Sequence, residues 1–413
     1  MRRHQYVIGI ILIIAAAFSG CVDEGKEGTK TVKIAALQSL TGDLGTYGSP
    51  MTDAMNLAVK EANENGGVLG SQIDLLVEDD QTSEIPAVDA ANKLVKVDRV
   101  PAIIGSTGSG PSSAILSITS GSEVLQISSS NTGVEFTDYP DNDFYFRTCP
   151  SDALQGEAMA RLALDSGYGT ASTLVLNNPY GIGFEEVFVE AFENDGGEVV
   201  ESVRYDPAQT IFDSEVERVT EKDPDVVMLV SYPQTGSIIL RTAYEKGAFG
   251  DEVAWLLSEG LTDENLAEMT GKDEAGRYIV AGLTGTMPDP TVAGPAYEDF
   301  KQKYAQEYGR EPSIYCSNSY DAGALVILAM EQGGEASGSA IRDNIRSVAN
   351  PPGTEVTDIG EALELIRRGE EINYQGASGE ITFDDNGDVC GRYATWSIAE
   401  DGSIQAGEPI EME

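Results

Sequence analysis

Pro101-Ala102-Ile103-Ile104-Gly105-Ser106-Thr107-Gly108-Ser109-Gly110-Pro111 carries the fold in miniature. An apolar run of strand length ends in a small, hydroxyl-bearing loop, and Pro111 sits where the first turn of a helix accepts proline. A second apolar run, Val124–Ser128, comes after that helix. Near-continuous apolar strands alternating with helices indicate a parallel sheet covered on both faces. The rhythm extends upstream, where strand-like Val32–Gln38 and Gln72–Glu78 alternate with helical spacing over Asp53–Glu64 and Ala87–Val97. It restarts after Cys149-Pro150 with helix Ala153–Asp165, strand Ser172–Asn177, helix Phe184–Asn194 and strand Glu198–Tyr205. Helix Asp213–Glu221, strand Asp225–Ser231, helix Thr235–Lys246 and strand Val253–Ser258 continue it. Two runs of similar size predict an α/β chain of two doubly wound, Rossmann-like lobes joined near residues 147–151. Beyond Gly282 the pattern loosens into helices over Pro295–Tyr308, Tyr320–Glu331, Ser339–Ser347 and Gly360–Arg368. Strands Gly379–Phe383 and Arg392–Ile398 then flank a hairpin-type turn at Asp384-Asp385-Asn386-Gly387.

The chain opens with Arg2-Arg3, an apolar run over Tyr6–Phe18 broken only by Gly9, and Phe18-Ser19-Gly20-Cys21. That run is shorter than the roughly 20 residues a spanning helix needs, so it reads as a secretion signal over residues 1–20. Cysteine directly after the small residues looks like a lipobox, which makes Cys21 the expected lipidation site. Phe18 departs from the usual leucine of that motif, and a plain secretion signal with an incidental cysteine is the other reading. Residues 21–30 form the anchor and a polar tether; the rest is long enough for two lobes, each with its own core.

Composition excludes much. His4, inside the signal, is the one histidine among 413 residues, so histidine-based triads and histidine-ligated metal sites are ruled out. With no Gly-x-Ser-x-Gly elbow and no cysteine cluster either, neither an enzyme nor a metal or other cofactor is expected. Four cysteines, one assigned to lipid, leave Cys149, Cys316 and Cys390 and at most one disulfide. A net charge of −43 repels nucleic acid and anionic headgroups. Acidic residues are spread over nearly every helix, a solvated shell suited to a salty medium and expected of a salt-adapted archaeon.

In open parallel sheets ligands bind beyond the carboxyl ends of the strands, which directs attention to the loop after each strand. Ser106–Pro111 is a hydroxyl-rich loop entering a helix, suited to an anion, though no lysine comes after the glycines as a phosphate loop would require. Taken alone it also fits an ordinary tight turn. Ser129-Ser130-Asn131-Thr132-Gly133 is again neutral and hydroxyl-rich. The second lobe supplies Asn177-Asn178-Pro179-Tyr180, Ser231-Tyr232-Pro233 and Ser258-Glu259-Gly260. Neutral donors on one side, two tyrosines and a carboxylate on the other, complement a zwitterion. Each residue has a plainer role open to it, Glu259 as a helix cap and Tyr180 and Tyr232 as rim residues.

The runs Leu37-Gln38-Ser39-Leu40-Thr41-Gly42, Ile103-Ile104-Gly105, Phe146-Arg147-Thr148 and Ala377-Ser378-Gly379 resemble the branched-chain amino-acid (Leu/Ile/Val) binding proteins of ABC importers, in the type I periplasmic-binding-protein class. The likeness extends over residues 31–400. It implies that Ser109 and Thr132 hold a substrate carboxylate with help from backbone at Ser130, and that Glu259 pairs with the ammonium. It further implies that Tyr180 and Tyr232 line the cleft and that Tyr47 stands near the side-chain pocket. Where the family places an aromatic wall, Ser317 aligns, a smaller and more polar substitute. A three-strand hinge is implied by the resemblance, with lobe 1 over 31–147 and 286–375 and lobe 2 over 148–285 and 376–413. The expected protein is a monomeric, lipid-anchored receptor on the extracellular face of the membrane. It would capture an amino acid by hinge closure and deliver it to membrane permease subunits with their ATPases. A receptor of the same fold for an amide, urea or small organic acid is the first alternative, and a sensory ectodomain the second.

Overall fold

The computed structural model describes residues 31–250, 253–290 and 294–411, so the expected signal, Cys21 and the tether lie outside the described residues. The first sheet comprises β1 (Thr31–Gln38), β2 (Gln72–Asp79), β3 (Ala102–Gly105), β4 (Leu125–Ser128) and β5 (Tyr145–Arg147). It is parallel throughout, in the order β2-β1-β3-β4-β5, with Ala35 opposite Ile103 and Ile103 opposite Gln126. β3 and β4 are wholly buried, as apolar strands covered by helices on both faces must be. The second sheet begins with β6 (Thr170–Leu176), β7 (Glu198–Tyr205), β8 (Val226–Val230), β9 (Ala254–Leu257) and β10 (Thr284–Pro288). A small sheet of β11 (Thr354–Val356), β12 (Ile372–Gly376) and β13 (Gly379–Glu380) precedes β14 (Tyr393–Ile398) and β15 (Ile404–Pro409). The last two return to the second sheet, where β14 runs antiparallel to β10. The molecule is therefore two doubly wound lobes of the type I periplasmic-binding-protein fold.

Among the expectations that differ from the structure, three bear on how the lobes are assembled. The helix expected from Asp53 begins at Gly45 and runs to Glu64 through Pro50. A Cβ at position 48 would lie 2.0 Å from the Ser39 carbonyl oxygen, so glycine there serves close packing. The turn at Asp384–Gly387 forms and its nearest flanks pair, Phe383 opposite Val389, but the strands further out diverge: Gly379–Glu380 pairs with β12, and Tyr393–Ile398 joins the second sheet. The lobe boundaries shift as well. The expected passage at 285/286 falls inside β10, which stays paired with β14 to Pro288. Residues 377–388, assigned to the second lobe, bond to the first: Asp321 accepts from the N–H groups of Ala377 at 2.9 Å and Ser378 at 2.7 Å, and Asn350 Nδ2 donates to the Phe383 carbonyl at 2.7 Å.

The crossings lie side by side. The Tyr393 hydroxyl donates to the Ser151 carbonyl at 2.9 Å, and the Asp289 N–H donates to the Arg392 carbonyl at 2.8 Å. Next to them, Arg147, with no exposed side-chain surface, holds Asp388 through Nε–Oδ1 at 2.5 Å and Nη2–Oδ2 at 2.7 Å. Its Nη1 donates to the Gly133 carbonyl at 2.8 Å, so the guanidinium joins β5, the loop after β4 and the turn after β13.

Candidate ligand-binding cleft

Gly105 ends β3 with φ +140°, and a Cβ there would lie 2.0 Å from the Leu37 carbonyl oxygen of neighbouring β1, so the position requires glycine. The next loop is tied to its own lobe. Ser39 Oγ donates to Asp80 Oδ1 at 2.6 Å, Ser106 Oγ bonds the other Asp80 oxygen, and Thr107 Oγ1 donates to Gln38 Oε1 at 2.8 Å. The helix Ser109–Gly121 then starts at the cleft, with Ser109 in its first turn. After β4, Ser130 Oγ donates to the Thr107 carbonyl at 2.8 Å, and Thr132 Oγ1 donates to Asp152 Oδ2 at 2.8 Å.

The opposing wall comes from the second sheet. Asn178 caps the helix Pro179–Asn194 through the Gly181 N–H at 3.0 Å, which sets Tyr180 in its first turn. Tyr180 stacks on Tyr232 with ring centres 5.5 Å apart and an interplanar angle of 3°. Glu259 comes after β9 in a single helical turn, and its Oε2 accepts from Gln155 Nε2 at 2.8 Å. Across the gap the Tyr47 hydroxyl donates to the Gly260 carbonyl at 3.3 Å, so the lobes touch.

One small cavity, of about 30 Å³, collects these groups. Tyr47, Ser109, Ser130, Thr132, Tyr180, Tyr232 and Glu259 line it, with Leu44, Met51 and Thr107 adding to the first-lobe side. Ser317 is not in the lining. Tyr315 is there instead, at the N-cap of the helix Cys316–Gly333 with φ +64°. The wall is therefore aromatic, two residues before the aligned serine; helix packing places that corner, and nothing in the local pattern marks it. Its hydroxyl is buried without a hydrogen-bond partner.

Sequence patterns did not single out Asp152 and Gln155. Asp152 starts the helix Asp152–Asp165, a position where an acid is ordinary, and Gln155 is one turn further on. The structure brings both beside Glu259. Burial raises the Glu259 carboxyl to about 7 against the pull of nearby donors, Gln155 among them. Burial, and then the charge of Glu259, push Asp152 well above the usual carboxylate range. No lysine or arginine lines the cavity among the described residues, and Arg147 is already engaged by Asp388. Asp152 Oδ1, Gln155 Oε1, Ser258 Oγ and the Tyr180 hydroxyl are buried without a partner of good geometry. A carboxylate pair of this kind, ringed by unsatisfied acceptors and hydroxyls, is complementary to a cationic donor group.

Comparison with known proteins agrees with this architecture. The family described as periplasmic binding protein matches residues 31–386. A chemotactic signal transduction system substrate-binding protein, BasB, of Halobacterium salinarum is 27% identical over 348 residues, covering 82% of this chain and 80% of that one. The Leu/Ile/Val-binding protein BraC3 of Rhizobium johnstonii is 25% identical over 381 residues, covering 91% and 94% respectively. The crystal structure of a leucine binding protein, LivK, from Thermotoga maritima superposes with a TM-score of 0.78 at 25% identity, covering 92% of this chain and 99% of that one.

Proposed function

The chain belongs to the periplasmic binding protein family, in its type I branched-chain amino-acid class, and from that premise we propose that it captures an amino acid for an ABC importer. One observation carries the reading: residues from both lobes converge on a single cavity with neutral hydroxyls on one wall and the buried carboxylate of Glu259 on the other, Asp152 lying close behind it. In this reading Ser109 holds the ligand's carboxylate with backbone at Ser130, joined by Thr132 once its hydroxyl turns from Asp152 Oδ2 to the ligand. Glu259 holds the ammonium, with Asp152 behind it. Tyr180 and Tyr232 cover the ligand from the second lobe, and Tyr47, Leu44, Met51 and Tyr315 enclose its side chain, which suits an aliphatic residue. No bond is broken. The ligand closes the lobes only to the extent that it binds the closed form better. The protein works outside the cell as a monomer, held to the membrane by lipid on Cys21, and hands its cargo to permease subunits.

Thermal unfolding in molar salt against amino acids, simple amides and small organic acids tests this. A cognate ligand at a hundred times its dissociation constant adds ~2.7 kcal/mol, a rise of ~5–10 °C. Shifts confined to amides or acids would remove the ammonium role and leave an amide, urea or acid receptor. A second reading has support in the name of the Halobacterium salinarum relative: a receptor reporting to a chemotaxis system. Deleting the gene separates the two, since loss of ligand uptake marks transport and loss of taxis with intact uptake marks sensing.

A further inference from the structure

The helix Pro233–Glu245 of the second lobe begins without a cap of its own. Tyr232 occupies the N-cap position and makes no side-chain hydrogen bond there, and Pro233 has no N–H to offer. Some helices carry their own cap, as those after Ser151, Asn178, Ser337 and Asp358 do, and others, like this one, do not. Here the cap comes from the other lobe. Asp43 Oδ1 accepts from the backbone N–H of Gln234 at 2.7 Å and of Thr235 at 3.2 Å, and Oδ2 accepts from the Thr235 hydroxyl. Gln234 Nε2 adds a bond to the Gly42 carbonyl at 3.0 Å.

Asp43 is held ready by bonds within the first lobe. Asp79 accepts from the Leu40 N–H at 2.9 Å and the Thr41 hydroxyl at 2.7 Å, and the Leu44 N–H donates to Thr82 Oγ1 at 3.0 Å. Gly42, at φ +84°, turns the chain where a Cβ would lie 2.4 Å from the Gln81 carbonyl oxygen. The loop therefore loses little freedom when its carboxylate meets the helix. A carboxylate at a helix N-terminus is also favoured by the helix dipole.

We propose that Asp43 is the latch of the cleft, a residue that sets how long ligand is retained by capping the opposite lobe's helix only when the lobes have closed. This rests on the reading of the protein as a receptor that binds by closure. Asp43 does not line the cavity, so its effect on affinity runs through the closed population rather than through ligand contact. With the lobes apart, water serves both the carboxylate and the helix donors.

The test compares wild type, Asp43→Ala and Asp43→Asn, each full chain titrated with the amino acid that gives the largest thermal shift. Loss of a cap predicts three- to thirty-fold weaker binding in Asp43→Ala, carried by faster release with association within about twofold of wild type. Asparagine caps as well as aspartate, so Asp43→Asn is expected to recover most of the loss. The ligand-free melting temperature stays at the wild-type value in all three, because neither lobe needs the contact to fold. Asp43→Ala releasing ligand at the wild-type rate overturns the latch while leaving the receptor intact. A ligand-free melting temperature that falls with the affinity also overturns it, marking Asp43 as a fold residue. Wild type binding nothing in the panel overturns the receptor reading, and the latch with it.

Discussion

Glu259→Gln separates what the cleft costs the fold from what it does for the ligand. Burial lifts the carboxyl from its ordinary value of 4.5 to about 7, with Asp152 close by and no cationic side chain in the lining. The folded protein thus keeps a proton at Glu259 that the unfolded chain has already lost. This group therefore favours folding at low pH, and the advantage is lost as pH rises from about 4.5 through about 7. At pH 8 the ionised carboxylate is a liability of order 3 kcal/mol that glutamine removes while still accepting from Gln155. The ligand-free variant is accordingly expected to melt ~6–12 °C higher at pH 8 and to gain little at pH 4. Ligand reverses the sign, because the ammonium needs the ionised form. Wild-type affinity should weaken about tenfold per pH unit below 7, whereas Glu259→Gln should bind at least about thirtyfold more weakly at pH 8 and lose the slope. Since Asp152 and Glu259 titrate together, Asp152→Asn run in parallel shows how the slope divides between them. Calorimetric unfolding from pH 4 to 8 and isothermal titration over the same range read both effects. Unchanged ligand-free stability at pH 8, or an identical affinity slope in the variant, would refute the assignment.

Asp388→Ala strands the buried Arg147 guanidinium with only the Gly133 carbonyl and the Thr137 hydroxyl; a loss of ~3–5 kcal/mol should lower the melting temperature by ~6–15 °C, and a change under ~2 °C in a calorimetric scan would sink that account. Ser109→Ala should weaken an amino-acid ligand about tenfold or more while leaving the affinity of the corresponding amine unchanged, as titrations of the two ligands would reveal; equal losses for both would remove Ser109 from the carboxylate. Tyr315→Ala should weaken binding and Ser317→Ala should not, since Tyr315 and not Ser317 faces the cavity; the opposite ranking in thermal-shift titrations would restore the alignment.

Much of this architecture is legible in residue order. Strand Glu198–Tyr205 and helix Pro295–Tyr308 have the bounds their patterns predict, because apolar periodicity and the flanking Gly196-Gly197 and Gly294 act within a few residues. The loops after β3, β4, β6, β8 and β9 could be named in advance because a strand's carboxyl end is a local property. The early start of the helix at Gly45 could not, since Gly48 answers to the Ser39 carbonyl, a contact made outside the helix. Nor could the parting of the strands around Asp384–Gly387, because each finds its partner in a different sheet.

The sequence by itself determined two α/β lobes, the small polar groups at their strand ends and an acidic chain poor in histidine, since periodicity, composition and charge are properties of neighbours. Only the tertiary structure decided which of those ends meet. Gln155 reaches Glu259 across 104 positions, Asp43 reaches Thr235 across 192, and Tyr315 takes the wall that alignment assigned to Ser317. Strand order and the crossings between lobes set such distances, and packing across the cleft turns acids that look ordinary in the chain into a buried pair.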